Sequence, residues 1–119
     1  MTEEARADCI LCGMWIDQYM HTRHVLTAEN GTLLSFCSFT CAAKYIKRHE
    51  ADVKQLQAAD YLTAELVNST NAFYLMGSNA PPVMSYISII AFANFETADS
   101  FQKLHGGKIT TFTEVLAQH

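Results

Sequence analysis

The sequence predicts an α+β fold built from two packed ββαβ units, and three observations carry the prediction. Runs rich in β-branched and aromatic residues alternate with stretches of helical periodicity in the order strand, strand, helix, strand, and that order occurs twice. An Asn30-Gly31 pair parts two of the runs, the strongest short-range hairpin signal. Two cysteine pairs, Cys9-x-x-Cys12 and Cys37-x-x-x-Cys41, flank that hairpin at metal-ligand spacing. The first unit spans 1–58 and carries the cysteines; the second spans 59–119 and shares its core. With 119 residues, 50% of them hydrophobic, the chain can build one compact core without disulfide staples.

Taken in order, residues 14–17 form an irregular segment around the first cysteine turn. Residues 22–28 are β-rich, and a return strand over 32–36 delivers Cys37. Between them a type I′ turn is expected, with positive φ at both Asn30 and Gly31. A helix over 38–49 follows, with Phe39, Ala42, Ala43, Ile46 and His49 on one face at helical spacing. Residues 52–57 read as a strand. In the second unit 71–76 is a strand ending at Gly77, and Pro81-Pro82 breaks the chain. Residues 85–93 are almost continuously apolar, as a central strand is. Asn94 caps a helix over 96–105 with Ala98, Phe101 and Leu104 inward, and Gly106-Gly107 ends it. A last strand covers 108–112, and a short helix 113–116. The two halves resemble each other only weakly letter by letter, so the repetition is one of topology.

The cysteines carry the chemistry. A tetrahedral site needs two short chelating turns brought together, and the hairpin folds the second pair back beside the first. If Ser38 starts the helix, Cys41 lies in its first turn, where the dipole and amide groups favour the thiolate that binds metal. Zinc and copper(I) both suit four thiolates, and spacing does not separate them. Disulfides in any of three connectivities are the competing use, and inert thiols a further one. His21 and His24 could join a site or face solvent; Asp8 and Asp17 flank the first pair as supporting or ordinary loop acids.

Composition excludes several classes. A formal charge of −4 leaves no basic surplus to neutralise nucleic-acid phosphates. The basic patch of Lys44, Lys47, Arg48 and Lys54 reads as a solvated face. No apolar run approaches the roughly 20 residues that cross a bilayer. The polar, acidic start is no signal peptide, which leaves a cytosolic protein or one whose export signal has been removed. No Ser-His-Asp arrangement, Gly-rich phosphate loop or paired carboxylates point to an enzyme.

Several motifs occur in a set order: Cys9-x-x-Cys12-Gly13-Met14, Asp60-Tyr61-Leu62-Thr63, Ala72-Phe73-Tyr74, Pro82-Val83-Met84, Ala91-Phe92, and His105-Gly106-Gly107-Lys108 before Phe112. Together, over nearly the whole chain, they resemble the NosL family, the accessory lipoproteins of nitrous-oxide reductase. The resemblance implies a periplasmic copper(I) chaperone, not an enzyme, that hands metal to a copper enzyme or an assembly protein. It also implies paired ββαβ units, shared distantly with an organomercury lyase. It nominates Met84 and His105 as copper(I) ligands, and thioether and imidazole suit that ion. Their ordinary alternatives are a gap-filling methionine and a histidine placed for the helix dipole. The chain departs from the family pattern by lacking a lipidation signal, so a lipid anchor would require a signal already removed. The added Cys37/Cys41 pair makes the cysteine set similar to metal-binding TRASH modules. On that basis the first unit holds structural zinc and the second exchangeable copper, or the cysteines carry the cargo themselves. The alternatives are a zinc-stapled interaction or sensor domain, and a lyase with a cysteine nucleophile.

Overall fold

Two antiparallel sheets, each with its own helix, make up the molecule; the computed structural model describes residues 9, 13, 15–49, 53–83 and 87–117. The first sheet contains β1 (His24–Ala28), β2 (Leu33–Phe36), β3 (Val53–Ala59) and β4 (Leu66–Asn68), in the order β2-β1-β3-β4. Helix α1 (Phe39–Arg48) connects β2 to β3. The second sheet contains β5 (Phe73–Met76), β6 (Ile89–Phe92) and β7 (Lys108–Thr111), in the order β6-β5-β7. Helix α2 (Phe95–His105) precedes β7, and α3 (Phe112–Ala117) follows it. The expected ββαβ order is present in both units. In each, the first strand is central, flanked by its hairpin partner and by the strand after the helix.

The units share a core. Phe39, Ala43 and Ala58 of the first pack with Ala72, Tyr74, Ile89, Ala91 and Val115 of the second. Asp60 fastens the two sheets together. One of its carboxylate oxygens accepts from the amides of Leu62 (2.8 Å) and Thr63 (3.2 Å), and the other from Ala93 (2.7 Å). The Tyr61 amide adds a bond to the Ala91 carbonyl at 2.7 Å. Polar groups this buried are stable only when so satisfied.

Several expectations need correction. The hairpin loop holds three residues, with the Ala28 amide bonded to the Thr32 carbonyl. Only Gly31 has positive φ there (+90°), so this is not the two-residue type I′ turn. Residues 85–93 do not form the central strand: β6 covers four residues at one side of its sheet, and β5 is central. Its apolar run reflects cover from α2 and the parallel bridge to Asp60. Strand β4 was not expected; it is three residues long and depends on pairing with β3. His49 and Leu104 are exposed rather than inward: His49 is the residue that follows α1, and Leu104 lies in the last turn of α2. The basic residues Lys44, Lys47, Arg48 and Lys54 are solvent-exposed as expected.

Candidate metal centre

The strand-to-helix corner after β2 places two of the cysteines. Cys37 follows directly on β2, and Ser38 occupies the N-cap position of α1 in extended conformation (φ −156°, ψ 170°). Its hydroxyl makes no capping bond to the helix; it lies 3.9 Å from the Cys37 sulfur instead. Cys41 is one turn on, and its Sγ is 3.8 Å from that of Cys37. The corner is pinned from outside by Thr22, whose hydroxyl donates to the Cys37 carbonyl at 2.7 Å.

The third cysteine arrives from the N-terminal turn. The Gly13 amide donates to the Cys9 carbonyl at 2.8 Å, closing the chain on itself, and Gly13 takes φ +80° to do so, a conformation that favours glycine. The sulfurs of Cys9, Cys37 and Cys41 all lie within 4.8 Å of one another, each residue buried to 1% exposure or less. At 3.8 Å the sulfurs of Cys37 and Cys41 are not bonded to each other. Among the described residues this is the one group of three or more His, Cys, Asp or Glu ligand atoms so gathered.

The arrangement fits a soft cation. Metal–sulfur bonds of about 2.3 Å in a tetrahedral site separate the sulfurs by about 3.8 Å. Burying thiolates is costly unless a cation lies among them, and the α1 dipole helps only the two at the corner. Ile16, Leu26, Phe36, Ala42 and Ile46 pack in the same core cluster and exclude water.

Of the remaining expected ligands only His105 falls among the described residues. Cys12 and Met84, like Asp8, lie outside the described residues. Val83, the residue before Met84, packs against the core cluster that holds the thiols. His105 is not part of that group: its Nδ1 is 2.9 Å from Asn79 Oδ1, and its ring lies 4.2 Å from that of Phe101. Asp17 is exposed in a single 3₁₀ turn, Ile16–Gln18.

Sequence reasoning missed the role of His24. It is 2% exposed, and its Nε2 lies 2.9 Å from the hydroxyl of the equally buried Tyr74. Its Nδ1 is 3.1 Å from the Thr22 carbonyl, which can only accept. Nδ1 therefore carries the proton, and Tyr74 donates to Nε2. Burial pushes the His24 pKa down to about 4, partly offset by the bond to Thr22, and raises that of Tyr74. The available signal was phase: His24 alternates with Leu26 and Ala28 on the inward face of β1.

No helix of the described residues is long and apolar enough to cross a membrane. No curated protein matches the chain in sequence. Its structure is similar to the crystal structure of the copper chaperone NosL from Shewanella denitrificans, with a TM-score of 0.81 and 21% identity over 96% of this chain and 94% of that one. At that identity the likeness shows a common fold. A family model described as NosL matches residues 1–119, and the chain therefore belongs to the NosL family.

Proposed function

We propose that this protein is a copper(I)-binding accessory protein, not an enzyme, that carries the ion on its cysteine cluster to a copper enzyme. The single observation that supports this most is the group of three buried sulfurs within 4.8 Å of one another, a donor set suited to a soft cation. Cys12 is the expected fourth donor. Family membership and the name of the structural relative, a copper chaperone, point to copper as the cargo. Nitrous-oxide reductase is the recipient the family suggests, and an extracytoplasmic location goes with it.

Full burial of the sulfurs favours a second reading, in which the cluster holds structural zinc and copper(I) binds at Met84 with His105. Anaerobic purification followed by metal analysis and competition with a copper(I) chelator separates the two. The first reading expects Cys37→Ser to abolish tight copper(I) binding and Met84→Ala to leave it intact. The opposite pattern, with zinc retained by the wild type, assigns the cluster to zinc.

A further inference from the structure

A carrier whose thiols are wholly buried needs a route by which the ion comes and goes. A cavity of about 470 Å³ is lined by Asp17, Tyr19, Met20, His21, Tyr61 and Val83 among others. Tyr19 and Val83 line it and also pack against the core that contains Cys9, Cys37 and Cys41. Thr22, on the same wall, holds the Cys37 carbonyl. Tyr19 and Val83 thus belong both to the wall of the cavity and to the packing around the core that holds the thiols.

Two side chains that suit copper(I), a thioether and an imidazole, follow one another in sequence along its lining. Met20 is 38% exposed, and the adjacent His21 is exposed too. The His21 ring is not loose: its Nδ1 is 2.7 Å from the Tyr61 carbonyl oxygen. A carbonyl only accepts, so Nδ1 carries a proton and Nε2 is the ring nitrogen available to a metal. Metal-binding histidines are oriented by such a bond. The Asp17 carboxylate in the same cavity adds negative potential for a cation.

We propose that the Met20 thioether and His21 Nε2 form an outer site for copper(I), through which the ion enters and leaves the buried thiolates. The inference rests on the copper-carrier reading. The exchange is a ligand substitution without redox change: each copper–sulfur bond to a thiolate breaks as bonds to thioether and imidazole form. The released thiolates take up protons from water.

The test adds silver(I), a redox-silent analogue of copper(I), stepwise to the full-length protein without oxygen. Histidine ring nitrogen and methionine methyl NMR signals report the donors, and thiol alkylation reports the cysteines. The first equivalent should protect the thiols and the second should shift His21 and Met20. Met20→Leu or His21→Phe should weaken the second equivalent about tenfold without touching the first. Removal of copper(I) by a chelator should slow about fivefold or more in both variants. A second equivalent that moves other histidines and leaves His21 still, or unchanged removal rates, overturns the proposal. Unprotected thiols with a shifted His21 would sink the carrier reading while leaving the outer site in place.

Discussion

Cys37 is the side chain on which most depends, because it joins the end of β2, the start of α1 and the sulfur cluster. Cys37→Ser should leave the protein nearly free of metal and lower apo-protein stability by about 1–3 kcal/mol, since a hydroxyl replaces a thiol in an apolar site. Metal analysis and urea denaturation read the two effects. His24 predicts a pH effect. Its folded pKa of about 4 lies below the ordinary 6.5, so the unfolded chain binds the proton more readily. The associated stability is complete above about pH 6.5 and is lost as pH falls toward 4, by about 3 kcal/mol. Urea midpoints at several pH values should fall less steeply for His24→Leu than for the wild type; parallel curves would refute the assignment. The gathering of Cys9, Cys37 and Cys41 was legible in the sequence because the spacing of the cysteines is itself the signal. His24 was not, because a histidine on an inward face looks like a surface residue until its partner, fifty residues away in Tyr74, is known.

At the scale of elements, the hairpin exists to bring Cys37 back beside the N-terminal turn. Gly31→Ala forces an alanine to φ +90° and should cost about 1–2 kcal/mol, with metal content unchanged because the loop is remote from the sulfurs. Urea denaturation and metal analysis on one sample check both halves of that statement. The hairpin strands, both longer helices and β7 were legible because each has a periodic pattern and a turn or cap residue at its end. The Asn94 cap is observed, with Oδ1 accepting from the Thr97 amide at 3.0 Å. Strand β4 was not legible: nothing within three residues marks a strand whose stability comes from the Gln57–Asn68 register. The loop at Asn30-Gly31 was misjudged because that dipeptide fits two loop lengths, and only the pairing of Thr27 with Leu33 decides between them.

For the whole molecule, the shared cluster makes separate unfolding of the units unfavourable. Far-UV circular dichroism and Trp15 fluorescence should give coincident transitions, and metal removal should shift both together. Asp60→Ala removes a carboxylate that bonds two amides of its own loop and one across the junction, at Ala93, and should cost about 3 kcal/mol or more by urea denaturation. Apart from β4, the order of strands and helices was legible. The joining of the sheets was not, because the contacts that make it, the shared core, the Tyr61–Ala91 bond and the Asp60 bond to the Ala93 amide, link residues distant in sequence.

The repeated central-first-strand topology gives the molecule two equivalent strand-to-helix corners. Set corner against corner, Phe36, Phe39, Ala42, Lys47 and His49 fall opposite Phe92, Phe95, Ala98, Lys103 and His105, and Ser38 opposite the helix cap Asn94. Each helix closes with a histidine ring 4.2 Å from the aromatic ring one turn before it, His49 on Tyr45 and His105 on Phe101. Ala93 and Thr97 stand where the other corner has Cys37 and Cys41. The cysteine pair thus belongs to one corner alone, the one whose sulfurs Cys9 joins. Placing cysteines at 93 and 97 should give the second corner a weak chelating pair of its own, visible as a further equivalent of bound silver(I).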